Sequence, residues 1–96
     1  MPVRHLALDL LRTLVTIADT GSFTRAGDQL GRTQSAISLQ VKRLEEMIGQ
    51  AVFQRTSRTL RLTGAGEKLL SHARQMLRLN DAALADLLEP EIAGTV

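Results

Sequence analysis

The sequence predicts a mainly α-helical fold, with three short helices, a two-stranded hairpin and one long final helix. Apolar residues recur at helical spacing in four segments, and a glycine follows each of the first three. Between the third and fourth segments, residues 52–55 and 60–63 have the pattern of short strands. The chain has 96 residues and only two aromatics, so we expect one small core built from Leu, Ile, Val and Ala.

The first two helices are predicted to pack the core. Five apolar residues place the first helix at about residues 8–19, with Gly21 as its stop: Leu8, Leu11, Leu14, Val15 and Ala18. Ser22 is a suitable N-cap for a second helix that runs to about Leu30. Gly31 then supplies a sharp turn.

The third helix is predicted over residues 34–48, with Thr33 as its N-cap and Gly49 as its end. One side carries a buried stripe of Ile37, Val41, Leu44 and Ile48. The opposite side displays Gln34, Ser35, Ser38, Leu39, Lys42 and Arg43. Only residues 31–33 separate the second and third helices, so these two helices have the spacing of a helix-turn-helix. In that motif the second of the two helices enters the major groove of DNA.

A hairpin over residues 52–63 would complete a winged helix-turn-helix spanning residues 8–63. Leu60 and Leu62 are expected to face inward and Arg61 outward. The loop between the strands has no Asn-Gly turn signal. As a wing, the hairpin would bring Arg55 and Arg58 to phosphates or into the minor groove. The alternative is an ordinary solvated loop.

A long helix is predicted over residues 64–89, about 25 residues and roughly 37 Å at 1.5 Å per residue. Its apolar residues fall at heptad positions a and d, with Asn80 at the remaining d position: Leu70, Ala73, Leu77, Leu84 and Leu87. The small domain has little left to cover the second half of this helix. We therefore expect a homodimer through this linker helix, with residues 90–96 as a truncated linker or tail. Asn80 either sets the register between the two linker helices of that dimer or is simply exposed.

The distribution of charge favours a polyanionic partner, above all double-stranded DNA. Residues 32–61 contain six of the twelve Lys and Arg residues but only two Glu, whereas the whole chain has a net charge of +2. The alternative is an Arg-rich surface with no partner. Single-stranded nucleic acid is disfavoured because Phe23 and Phe53 cannot provide a platform for stacking bases.

The sequence argues against several other classes of protein. The chain has no cysteine, which excludes disulfides and thiolate metal sites, and no apolar run of the roughly 20 residues that a membrane span needs. Gly64-Ala65-Gly66 lacks the strand-helix context of a dinucleotide site, and His5 and His72 are isolated. We expect a cytoplasmic protein that is not an enzyme, with no cofactor, no metal and no membrane partner.

Five motifs along the chain occur in the order and spacing of a known family. They are Gly21-Ser22-Phe23-Thr24, Thr33-Gln34-Ser35-Ala36-Ile37-Ser38, Arg43-Leu44-Glu45, Phe53-Gln54-Arg55 with Arg58, and Leu62-Thr63-Gly64-Ala65-Gly66. On these residues, the stretch from Leu10 to Ala73 resembles the N-terminal DNA-binding domain of LysR-type transcriptional regulators. The chain departs from that family at two positions: Gly27 stands where paired alanines are usual, and Leu39 stands where many members have a longer polar residue.

The resemblance implies roles for individual residues. Gln34, Ser35, Ser38 and Leu39 would lie near base edges or adjacent phosphates in the major groove, and Lys42, Arg55 and Arg58 would hold the backbone or the minor groove. Residues after Thr63 would form the helix through which such regulators dimerise, and a full-length protein could form a tetramer. A larger effector-binding domain normally follows, so a small-molecule effector is expected only if such a domain exists.

The residue types fit these roles on chemical grounds. Gln34 can pair bidentately with adenine, a contact worth roughly 1–3 kcal/mol of discrimination, and Leu39 can contact a thymine methyl. Ser35 reads a base or binds phosphate at the helix N-terminus, and Ser38 contacts DNA or faces solvent. Thr33 and Arg43 are further candidates for backbone contact, although Arg43 could instead pair locally with Glu46. The rival interpretation is a winged-helix module for protein interaction or dimerisation that does not bind specific DNA.

Overall fold

The structure is a computed structural model that describes residues 4–54 and 59–88. Its helices are α1 (Leu8–Thr20), α2 (Phe23–Leu30), α3 (Gln34–Ile48) and α4 (Gly64–Leu88). All four lie where the sequence places them, to within a residue at each end. The tail at residues 90–96 lies outside the described residues.

Local capping explains why the helix ends are so predictable. The side chains of Ser22 and Thr33 accept hydrogen bonds from the backbone N–H groups of Arg25 and Ala36, each at 3.1 Å. Gly31 follows α2 with a φ of 66°, a left-handed conformation that favours glycine. The N–H of Arg32 then bonds the carbonyl of Gly27 at 2.8 Å, which fixes the turn between α2 and α3.

The core lies around α1, which contacts all three other helices. Its buried apolar residues come from every element: Leu11, Leu14, Ile17, Ala26, Ile37, Val41, Leu44, Val52, Phe53, Leu69, Ala73 and Leu77. The buried hydroxyl of Thr13 donates to Oε1 of Gln40 at 2.7 Å, and this bond joins α1 to α3. The orientation of α3 is therefore held by apolar packing and by one buried polar contact.

Gly27, which stands where the family usually has an alanine, packs closely against the turn between α2 and α3. A Cβ at this position would lie 2.5 Å from the carbonyl oxygen of Arg32. The glycine in α2 therefore costs some helix propensity but lets the turn approach the helix closely.

The predicted two-stranded hairpin is reduced to a single bridge within the described residues. Phe53 pairs with Leu62 in antiparallel fashion, and the N–H of Gln54 donates to Arg61 at 2.9 Å. The Thr63 N–H also donates to the Val52 carbonyl at 2.9 Å, while the Thr63 hydroxyl accepts from the N–H of Gly66 at 2.9 Å and donates to Ala51, so α4 begins directly after the paired residues. Leu60 and Leu62 pack against the core and Arg61 is exposed, as predicted.

Helix α4 lies antiparallel to α1, and two exposed ion pairs join the helices. Arg12 Nη2 is 2.7 Å from Asp81 Oδ1, and Arg74 Nη2 is 2.7 Å from Asp19 Oδ1. The bond from Arg12, then the bond from Asn80, lowers the pKa of Asp81, while Asp81 raises the pKa of Arg12. Since Arg12 lies early in α1, the residues of α4 beyond Asp81 extend past the body of the domain.

Candidate nucleic-acid interface

The outer face of α3 is exposed to solvent along its length. Gln34, Ser35, Ser38, Lys42 and Arg43 are all exposed, and Leu39 is 50% exposed. The inner face carries Ile37, Val41 and Leu44, which are buried. The structure therefore brings the six predicted residues to one outward surface, which we call the α3 face.

The N-terminal end of the α3 face offers backbone donors as well as side chains. Thr33 is exposed and caps α3, so its hydroxyl stands at the helix start beside Gln34 and Ser35. The first turn of a helix presents unpaired N–H groups and a partial positive charge. This end of α3 is suited to an anionic group such as a phosphate.

Gln34 has a side-chain partner on the neighbouring helix. The hydroxyl of Thr24, in the first turn of α2, lies 3.4 Å from Oε1 of Gln34. Sequence reasoning noted Thr24 only as part of a motif and assigned it no role. The contact could not be found from spacing, because it joins residues ten positions apart across the turn.

The base of the hairpin flanks the α3 face across an open cleft of about 640 Å³. Ser38, Leu39 and Lys42 line the cleft on one side, and Gln54 and Leu60 line it on the other. At its floor the rings of Phe23 and Phe53 meet edge to face, with centroids 5.3 Å apart. Arg55 and Arg58, which the sequence predicts to lie in the hairpin, are outside the described residues.

Glu45 fixes the hairpin to α3 and is a second residue whose role the sequence did not reveal. Its Oε2 accepts a hydrogen bond from the backbone N–H of Val52 at 2.9 Å. Val52 is fully buried, so its N–H needs such a partner. The only signal in the sequence was the position of Glu45 in the Arg43-Leu44-Glu45 motif.

Arg43 lies at the edge of the α3 face, away from the hairpin. It lines a separate surface depression with Arg4, Leu10, Glu46 and Met47. Arg4 occupies part of this depression by donating to the carbonyl of Met47 at 3.1 Å. Arg43 is thus less central than Lys42 among the cations of α3.

The residues predicted to form the dimer interface do not make a single exposed stripe. Ala73 and Leu77 are buried in the core of the chain itself, and Leu70 packs against that core. Leu84 is 47% exposed and Leu87 is 70% exposed, and Leu88 beside them is 73% exposed. The prediction is revised accordingly, because heptad spacing shows which residues share a face but not that α1 covers its first half.

The part of the chain that the structure describes shows no feature of a metal site or a membrane span. No group of three His, Cys, Asp or Glu residues within residues 4–54 and 59–88 could hold a metal ion. None of the described helices is both long enough and apolar enough to cross a bilayer.

Comparison with known proteins identifies the family. A model of the bacterial regulatory helix-turn-helix proteins of the lysR family matches residues 8–67. The chain belongs to the LysR family. This match covers α1, α2, α3 and the hairpin, and it includes the whole α3 face.

Two relatives of this chain are transcriptional regulators. The chain is 50% identical over 93 residues to the regulator DgdR of Burkholderia cepacia, covering 97% of this chain and 32% of DgdR. It is 46% identical over 95 residues to the regulator PecT of Dickeya dadantii, covering 99% of this chain and 30% of PecT. The chain thus spans about a third of the length of these relatives.

A solved structure with the same fold contains DNA. In the complex of the BenM DBD with catB site 1 DNA, the protein superposes on this chain with a TM-score of 0.85 at 28% identity. The match covers 93% of this chain and 96% of that one. The chain thus shares its LysR-type helix-turn-helix fold with a protein solved on DNA.

Proposed function

We propose that this chain binds a specific sequence of double-stranded DNA, with α3 (34–48) in the major groove and the hairpin (52–63) on the backbone or in the minor groove. One observation carries the proposal: the polar face of α3 is fully outward and stands beside the base of the hairpin. The overall likeness to a protein solved on DNA supports the same orientation.

Four residues would contact base edges in this arrangement: Gln34, Ser35, Ser38 and Leu39. Gln34 and the serines supply hydrogen bonds, whereas the half-exposed Leu39 supplies an apolar surface for a thymine methyl. The hydroxyls are short, so they let the helix backbone come close to the bases. Together they would make the chain distinguish one duplex sequence from another.

Cations around this surface would supply affinity for any duplex. Lys42 and Arg43 are exposed on α3, and Thr33 stands at the helix start. Arg55 and Arg58 join this set on the basis of the sequence alone. Each phosphate that one of the Lys or Arg side chains neutralises releases counterions, so binding should weaken as salt rises.

The exposed end of α4 would join two copies of the chain. Leu84 and Leu87 continue the apolar face that begins with the buried Ala73 and Leu77, but they are 47% and 70% exposed. A second copy of the same helix would bury them and place two α3 helices on one duplex. In a protein of the length of those relatives, tetramer formation and the response to a small-molecule effector would involve sequence outside the part that this chain matches.

Titration of the 96-residue chain against random duplex at two salt concentrations tests this proposal. We expect binding at low salt that weakens steeply at the higher concentration. A chain that forms a stable dimer but binds no duplex at low salt would instead be a protein-interaction or dimerisation module.

A further inference from the structure

We propose that Thr24 is a positioning residue that turns the amide of Gln34, so that Gln34 presents its nitrogen to DNA and favours guanine over adenine. This inference rests on the proposed function, because it concerns the base contact within that same interface. It assigns a task to a residue on α2 that faces the start of α3.

The turn between α2 and α3 holds the two side chains together. Gly31 adopts a left-handed conformation, and the Arg32 N–H bonds to Gly27 at 2.8 Å. The backbone of Arg32 also packs against Gly27 so closely that a Cβ has no room. The turn therefore fixes the backbones that carry Thr24 and Gln34, and the Thr24 hydroxyl lies 3.4 Å from Oε1 of Gln34.

The chemistry of the two groups sets the direction of this hydrogen bond. A hydroxyl can donate and accept, whereas the amide oxygen of glutamine can only accept. The Thr24 hydroxyl therefore donates to Oε1 of Gln34. Within the described residues Nε2 has no hydrogen-bond acceptor, so its two N–H groups are available to a ligand.

This orientation changes the base that Gln34 is expected to read. Bidentate pairing with adenine needs the amide oxygen and the amide nitrogen to face the base together. With its oxygen directed to Thr24 on α2, the Gln34 amide presents only its two N–H donors to the DNA. Guanine presents two adjacent acceptors, N7 and O6, in the major groove, and adenine presents N7 beside a donor. A donor at this position therefore prefers guanine.

The size of the effect follows from the geometry of the contact. A separation of 3.4 Å is long for a hydroxyl hydrogen bond, and both side chains are exposed. A neutral hydrogen bond of this kind contributes modestly, so we expect the Thr24 hydroxyl to change the preference for guanine by about two- to fivefold.

The test compares Thr24→Val, which removes the hydroxyl at nearly constant shape, with Thr24→Ser, which keeps it. Each variant is made in the wild-type chain and in Gln34→Ala, and equal thermal unfolding midpoints show that the fold is intact. The best duplex is first selected from a random pool, and the base that Gln34 contacts is the position where Gln34→Ala loses discrimination. Affinities are then measured for guanine and for adenine at that position.

We expect guanine at that position, a two- to fivefold loss of the guanine preference in Thr24→Val, and retention in Thr24→Ser. Thr24→Val should have no further effect in Gln34→Ala. A preference for adenine, an unchanged preference in Thr24→Val, or a loss that persists in Gln34→Ala would overturn the inference. An equal loss on all sequences would show that Thr24 binds phosphate directly. Failure of the wild-type chain to bind duplex would instead overturn the proposed function itself.

Discussion

Gln34 and Lys42 lie about two turns apart on the α3 face and are expected to contribute to binding in different ways. Both are exposed, and they are eight residues apart on one side of the helix. Gln34 has the chemistry to distinguish base edges, whereas the ammonium group of Lys42 is suited to phosphates, which are the same in every sequence. Separate substitutions therefore test specificity and general affinity independently.

Gln34→Ala should weaken binding to the selected duplex more than binding to random duplex, by roughly 5- to 150-fold in the ratio, because base contacts carry about 1–3 kcal/mol. Lys42→Ala is the matched control on the same helix face. It should weaken both duplexes alike and reduce the slope of log K against log salt by about 0.9. Equal losses on both duplexes for Gln34→Ala would remove it from the base-reading set.

Asp81 gives the fold a defined response to acid. Its pKa is lowered from the ordinary 3.8, chiefly by the hydrogen bond from Arg12, so the unfolded chain binds a proton more readily than the folded chain. The stabilising contribution is therefore present above about pH 4 and is lost as the pH falls below that value.

Asp81→Asn keeps the shape of this side chain and removes its titration. We expect the urea midpoint of the wild-type chain to fall more than that of Asp81→Asn between pH 5 and pH 3. The difference should be small, because the pair is exposed to solvent. Parallel decreases in the two proteins would show that this pair does not contribute to the acid response.

Elements whose ends are marked by neighbouring residues could be predicted from the sequence. Features that depend on contacts between residues far apart in the sequence could not. Ser22, Thr33 and the glycines that follow the helices mark the helix ends through contacts within a few residues. The pairing of Phe53 with Leu62 instead joins the two sides of the hairpin, and Thr63, which follows directly, already bonds to the first turn of α4. The outward face of α3 followed from periodicity alone, but the contact of Gln34 with Thr24 and the bond of Glu45 with Val52 join α3 to other elements.

Two glycines lie at the junction between the hairpin and α4, and we expect them to differ in how well they tolerate substitution by alanine. A Cβ at Gly66 would collide with the backbone carbonyl of Val52, whereas Gly64, at the start of the same helix, has open space around it. Gly66→Ala should lower the free energy of unfolding by about 1–3 kcal/mol through overpacking. Gly64→Ala is the control.

Gly64→Ala should leave stability unchanged or raise it by up to about 1 kcal/mol, because alanine restricts the unfolded chain. Urea unfolding of both variants gives the two values directly. Equal stability of the two variants would contradict the close approach of α4 to Val52.

The molecule as a whole consists of a compact body and a helix that extends beyond it. The ion pairs Arg12–Asp81 and Arg74–Asp19 hold the first part of α4 on α1, and residues 84–88 continue outward with three exposed leucines. The sequence indicated that this helix was too long for its domain. The sequence could not show at which residue of α4 the packing against α1 ends, because that depends on how the two helices align.

Leu84→Asp should weaken self-association at least tenfold if two copies meet through the end of α4, because a buried charge without a partner is costly. Ala82→Asp adds the same charge on the opposite side of the helix and should leave association unchanged. Sedimentation at micromolar concentrations distinguishes these outcomes. A wild-type chain that stays monomeric, or two variants that behave alike, would exclude this interface.

Selection of bound sequences from a random duplex pool tests most directly whether the α3 face reads DNA. We expect a recurrent half-site, repeated with inverted symmetry at about one helical turn of DNA or a multiple of it, since two α3 helices would meet one duplex. The Gln34→Ala chain should recover the same site with one position relaxed. A pool that shows no enrichment after repeated rounds, although the chain is folded, would contradict specific DNA binding by this surface.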